Sequence, residues 1–338
     1  MMASGRYRIA LAALGFVLLA SIVIGVTVGA ADISAREVWS TVGFRLGLLA
    51  ESDVGDLRQT IVIDLRLPRL ITAASVGAGL ALCGTVLQAL TRNPLADPYL
   101  LGLSSGASLG AVTLLTLGLG LLMPLGAFLG ACAAITLTLA ITSLLGGLSP
   151  VRAVLSGIAV SALASAFTSL LIFWSASGDA YREILSWLVG SLSGALWFDA
   201  WLTLTALVVF SLPMILSSRS LDALAFGDRS AAALGVNVGI LRWVMFASTA
   251  MLTGLLVTVG GAIGFVGLVV PHVARLITGN QHRKLLPLSL LLGALLMVFT
   301  DTLARSLFTP RELPVGVITA IVGAPIFLLV LVKYRRLT

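Results

Sequence analysis

Asp301 and Arg305 stand one helical turn apart, close enough to pair. Carboxylates and their partners inside apolar helices are what ion-coupled transporters place along their pathways. The plainer role for this pair is a local salt bridge or cap near the outer end of a span. His272 follows Pro271, which loosens backbone bonding nearby, and it reads as a packing histidine rather than a ligand. His282 reads as a solvated loop residue. With only these two separated histidines, no metal site and no Ser–His–Asp constellation can be assembled. The two lysines, Lys284 and Lys333, lie outside any G-x-x-x-x-G-K-[ST] loop, so the chain carries no nucleotide-binding P-loop. If ATP with its magnesium drives this protein, a partner must hold and hydrolyse them, and the chain itself is expected to bind no cofactor and to be no enzyme.

Weaker chemistry is spread along the chain. Gly157, Ser161, Ser165 and Thr168 form a stripe of small and hydroxyl side chains at helical spacing. Such a stripe packs against a neighbouring helix more often than it lines a path, yet it is the best internal candidate for a mildly polar one. Arg182, near the outer mouth, could favour an anionic ligand. The turn Thr91–Pro98 holds Asn93, Pro94 and Leu95, a stiff break between helices, and Ser149, Pro150 and Val151 make a similar inner turn. Either turn could gate a path or simply connect two spans.

The elements that must position these groups are membrane helices. Hydrophobic residues make up 59% of the chain and charged ones 10%, with a mean hydropathy of +1.10. Soluble domains carry about 25% charged residues, so this is an integral membrane protein with little mass outside lipid. At about 20 residues per crossing, spans fall near 9–30, 68–90, 98–119, 122–147, 152–174, 198–217, 242–260, 262–278, 285–305 and 314–333. Residues 242–278 have no polar loop, but as one helix they would run about 55 Å, so they are divided at Gly260-Gly261. The first run follows Arg6 and Arg8 and exceeds the apolar length of a signal peptide. It reads as a retained span, although Val28-Gly29-Ala30 is a tolerable cleavage site.

Charge orients the ten spans. With the N-terminus inside, the cytoplasmic side gathers thirteen of the 21 Lys and Arg against three of the 14 Asp and Glu, namely Asp97, Asp222 and Asp228. This is the positive-inside asymmetry, and it accounts for the +7 net charge without nucleic acid. Both termini are then cytoplasmic. Gly-x-x-x-Gly spacings at 25–29, 102–106–110, 126–130, 190–194 and 260–264 argue for a tight bundle. The halves beginning near Arg69 and Arg242 share a layout and start on opposite sides, as inverted repeats do. Asp179–Gly194 reads as a short outer helix ending near Gly190. One all-α transmembrane domain is expected over 1–338.

One stretch is an almost polar island: Arg219–Asn237, RSLDALAFGDRSAAALGVN. Gly227 divides it into two short helices, with Asp228 placed as an N-cap and Gly235 as a stop. The first has Leu221, Leu224 and Ala225 at helical spacing, the second Ala231, Leu234 and Gly235. Each is too short to cross a bilayer. The shape suits a handle that another protein grips; an ordinary surface loop is the alternative.

Several motifs together carry a resemblance. Arg66–Arg69 (RLPR), Gly77–Gly84, Arg92–Pro98 (RNPLADP) and Leu101–Gly110 (LGLSSGASLG) are four of them. Trp187–Gly194 (WLVGSLSG), Leu221–Gly235 (LDALAFGDRSAAALG), Gly264–Arg275 (GFVGLVVPHVAR) and Glu312–Pro325 (ELPVGVITAIVGAP) complete the set. In this order they resemble the permease family for iron-siderophore, haem and cobalamin import, the membrane subunits of type II ABC importers. The resemblance implies ten helices per subunit, a second copy of the chain, two ATPase subunits inside and one substrate-binding protein outside. The setting would be a prokaryotic inner membrane. It further implies coupling to the ATPase through Leu221, Asp222, Leu224, Phe226, Gly227, Asp228, Ala232, Leu234 and Gly235. Arg66, Arg69 and Arg305 would receive the binding protein, and Asn93–Leu95 with Pro150-Val151 would form the inner gate. Ser161, Ser165, Thr168 and Arg182 would lie along the path. An ion-driven secondary transporter and an intramembrane enzyme are the competing classes; the first lacks free buried carboxylates, the second a catalytic cluster. The cargo stays open among an iron chelate (siderophore or haem), cobalamin and a small oxyanion.

Overall fold

Among the described residues of the computed structural model, the chain is helical throughout, with no strand. These residues are 4–29, 31–49, 53–147, 149–175, 178–308 and 311–335, with side chains described for the same residues except 4, 175, 178–180, 182, 183 and 330–335. Helix α1 (Ser4–Thr27) is followed by α2 (Ala35–Arg45), which begins in a capping box: Ser34 caps the Glu37 N–H and the Glu37 carboxylate returns to the Ser34 N–H. Helix α3 (Asp56–Thr60) runs through a π-helical turn (Ile61–Arg66) into α4 (Leu67–Thr91). There follow α5 (Leu103–Thr116), α6 (Met123–Leu144), α7 (Pro150–Ser175) and α8 (Gly178–Val189). The second half holds α9 (Trp197–Leu216), α10 (Ser218–Leu224), α11 (Asp228–Ala233), α12 (Val238–Gly260), α13 (Val266–Thr278), α14 (His282–Ser306) and α15 (Val315–Arg335).

Among the described residues, seven helices, with α1, α4 with its lead-in and α14 among them, are long and apolar enough to cross a membrane; α5 and α13 are apolar but shorter, and α15 is apolar through Val315–Leu329. The expected spans at 98–119 and 262–278 are therefore only partly helical. The first starts in a 3-10 turn (Pro98–Leu101) before α5, the second in the non-helical residues 261–265 before α13. Asp97 opens the 3-10 turn by accepting from the Tyr99 N–H at 2.9 Å. Gly260-Gly261 does end α12, where the sequence divided 242–278.

The axle of the bundle is α4. In its apolar window 89% of residues are buried, against 11% in α1, which flanks the bundle along α14. Contacts are reciprocal: α4 packs on α13 and α14, while α12 packs on α5 and α6. Small residues make these approaches possible. A Cβ on Gly84 would stand 1.8 Å from the Gly267 carbonyl oxygen, and one on Gly77 2.1 Å from that of Gly293. The Gly-x-x-x-Gly pairs of α5 and α6 face each other, Gly106 on Gly130 and Gly110 on Gly126. Gly194 and Gly264, by contrast, have open space where a Cβ would be.

Candidate functional site

The ion pairs of the bundle collect at its two ends. At one end lie α10 and α11. Their apolar stripe faces inward: Leu221, Leu224 and Ala231 are fully buried, each leucine contributing about 1.5–3 kcal/mol. Leu221 and Leu224 are thus anchors of the handle, and the surface it offers is Phe226 (77% exposed), Ala232, Leu234 (70% exposed) and Gly235. Gly227, at φ +101°, makes the turn between the two helices.

Asp228 does not cap α11; Gly227 holds the N-cap position, and no side chain bonds there. The Asp228 carboxylate instead takes Arg242 of α12 on both oxygens at 2.9 Å, and also takes Arg92, the residue that ends α4. Asp222 accepts the His282 backbone N–H at 2.9 Å and Nδ1 at 2.7 Å, fixing α10 to the start of α14. Desolvation raises the Asp222 carboxyl, but the two hydrogen bonds from His282 outweigh it and hold the group below the usual carboxylate range. His282 is consequently no solvated loop residue: it is buried and bonded. Its role was hidden because its partner is sixty positions away in sequence.

Beside this element, Asn93 Oδ1 accepts the Leu95 N–H at 2.9 Å, a tight turn that leaves Asn93, Pro94 and Leu95 exposed. Pro150 starts α7, and Val151 next to it is exposed.

At the other end the three arginines share one cavity of about 380 Å³, with Glu312 on its wall. All three are buried. Arg66 donates to the carbonyls of Val26, Thr27 and Ala31 at 2.6–3.1 Å, holding the segment after α1. Arg69 donates to Asp301 at 2.9 Å and to Glu312 at 2.7 Å. Arg305 faces Asp301 at 3.3 Å and donates to Gly25 at 3.1 Å. The Asp301–Arg305 pair is thus a local one, as its spacing suggested, with Arg69 as a third member that sequence did not supply. Each arginine has a structural duty besides any docking.

The hydroxyl stripe of α7 lies along the helix that packs on α5 and on the turn before it. Gly157 lets the Leu100 carbonyl approach, since a Cβ there would stand 2.1 Å from it. Ser165 bonds Ser105 of α5 at 3.3 Å; Thr168 is buried and turns its hydroxyl to Ala164. Ser161 is half-buried, and the Arg182 side chain lies outside the described residues. His272 is buried with Nδ1 on the Leu268 carbonyl at 2.8 Å. Among the described residues no three His, Cys, Asp or Glu groups gather as a metal site would require.

Apolar helices around a buried axle, with fixed charges at both ends, define a multi-pass membrane transport subunit. The chain belongs to the FecCD transport family, whose model matches residues 17–333. It is 42% identical over 280 residues to the cobalamin import system permease protein BtuC of Halobacterium salinarum, covering 82% of this chain and 75% of that one. It is 37% identical over 333 residues to the hemin transport system permease protein HmuU of Yersinia pestis, covering 96% of each. Among solved structures it matches a metal-chelate type ABC transporter in an inward-facing conformation, with TM-score 0.83 and 32% identity over 96% of this chain and 99% of that one.

Proposed function

We propose that the chain is the permease subunit of an ATP-driven importer that takes a bulky metal chelate from an external binding protein into the cytoplasm. The observation that carries this is the α10–α11 handle. Its inner face is anchored by Leu221, Leu224 and Ala231, while Phe226 and Leu234 stay uncovered. A groove of about 560 Å³ beside Leu234 and Asn237 gives a partner purchase. Two copies of the chain, two ATPase subunits and one binding protein would make the machine, with ATP and magnesium held by the ATPases. In this reading the chain crosses the lipid ten times with both termini cytoplasmic, α5 and α13 completing their crossings through the non-helical residues before them. Arg66, Arg69 and Arg305 receive acidic groups of the binding protein, and the turns at 93–95 and 150–151 close the inner mouth of a path between the two copies.

The cargo is an iron chelate, a siderophore or haem, with cobalamin second. The relatives' names cover hemin and cobalamin, and the few charges in the membrane suit a path that binds such a cargo weakly. An ion-driven carrier would need a carboxylate free to bind its ion, and Asp301 is held between Arg69 and Arg305. The test is uptake into liposomes holding the chain with its ATPase, with binding protein outside. ATP-dependent entry of ferric siderophore, haem or cobalamin supports the reading and names the cargo. Uptake that persists without ATP removes it.

A further inference from the structure

The geometry points to Asp228 and Arg92 as the positioning pair through which the handle holds the 93–95 turn. This rests on the reading of α10 and α11 as the ATPase handle. Three observations converge on it. First, Asp228 opens α11, where a negative charge is favoured by the helix N-terminus, yet its oxygens are taken by arginines of two other elements.

Second, Arg92 ends α4 in the left-handed conformation, at φ 49° and ψ 31°. That position is usually glycine, because a Cβ there crowds the following carbonyl oxygen. A long basic side chain at a strained cap is explained if its guanidinium is needed, and the guanidinium is on Asp228. Third, the next residue in the chain is Asn93, whose side chain closes the turn onto Leu95. The linkage from α11 through Asp228 and Arg92 to Asn93–Leu95 therefore contains one ion pair and one peptide bond.

Arg242 completes the arrangement. It is mostly buried and grips Asp228 with two nitrogens, so α11 is fixed to α12, whereas Arg92 and Asp228 are each about half exposed. The strong arm holds the handle to the bundle, and the weak one, easily broken and remade, leads to the turn. An exposed pair of this kind adds little to folding stability. Its loss should leave the fold intact and change only what motion of α11 does to the turn.

The experiment uses the assembled importer in liposomes and reads molecules transported per ATP hydrolysed. Arg92→Gln should still co-purify with the ATPase and melt where the parent does, while transport per ATP falls at least about fivefold, the lower range of site-to-site coupling. Asp228→Asn should lower the same ratio. The double variant should be no worse than the poorer single one, the signature of two groups acting through one contact. Asp228→Glu, which keeps the charge, should recover part of the ratio. Unchanged transport per ATP in Arg92→Gln, or additive losses in the double variant, would overturn the pair's role. Failure of the unaltered chain to bring down any ATPase would instead overturn the handle reading beneath it.

Discussion

Tyr99 and Ile263 are tied by two hydrogen bonds: the Tyr99 hydroxyl donates to the Ile263 carbonyl at 3.0 Å and accepts the Ile263 N–H at 3.1 Å. One residue stands in the turn before α5 and the other in the non-helical stretch before α13. Backbone outside a helix at membrane depth has polar groups that lipid cannot satisfy, so such segments must find partners in protein. Here a side chain of one broken segment satisfies the backbone of the other.

Replacing Tyr99 by Phe keeps the ring and removes both bonds. With a backbone donor left unpaired, the cost should be about 1–3 kcal/mol, seen as a lower melting temperature in detergent. A melting temperature equal to the parent's would mean that water reaches Ile263.

Glycine contacts give a sharper contrast. Gly84→Ala drives a methyl into the Gly267 carbonyl, which is backbone and cannot step aside, whereas Gly264→Ala enters open space. The first should destabilise by about 1–3 kcal/mol, the usual toll of overpacking, and the second should be near neutral. Thermal unfolding of the two proteins side by side decides it.

These contacts show what was legible in the sequence. The bundle, the helix positions and the α5–α6 glycine seam follow from local patterns of apolar and small residues. The break before α5 was half legible, because Asn93-Pro94 and Asp97-Pro98 announce a turn but not its length. The partners of Tyr99, His282 and Arg69 were not legible, since each lies sixty to more than two hundred residues away and no periodicity links them. The face that the handle leaves exposed was not legible for a related reason. Leucines at helical spacing reveal the buried stripe, and the face left for a partner is the one without periodicity.

The outer charge cluster should be sensitive at its centre and tolerant at its rim. Asp301→Ala leaves Arg69 and Arg305 buried without their shared carboxylate and should cost about 3–5 kcal/mol. Glu312 is 41% exposed, and Glu312→Ala should cost no more than about 1 kcal/mol. Chemical denaturation in detergent compares them.

If the proposed function holds, Phe226→Ser with Leu234→Ser in the α10–α11 handle should abolish co-purification of an ATPase while leaving the melting temperature unchanged. Leu224→Asp should instead lower folded yield, because it places a carboxylate where a leucine is 1% exposed.

Helix α14 is held by charge at both extremities, His282 on Asp222 below and Asp301 with Arg305 and Arg69 above. Its 25 residues extend about 37 Å, so it is a strut as long as the bilayer is thick. A strut pinned at each tip can neither slide nor swivel without disturbing one pin or the other. In the proposed importer, cargo arrival outside and nucleotide turnover inside would then bear on the same rigid member, and neither compartment could act on this protein without the other being informed.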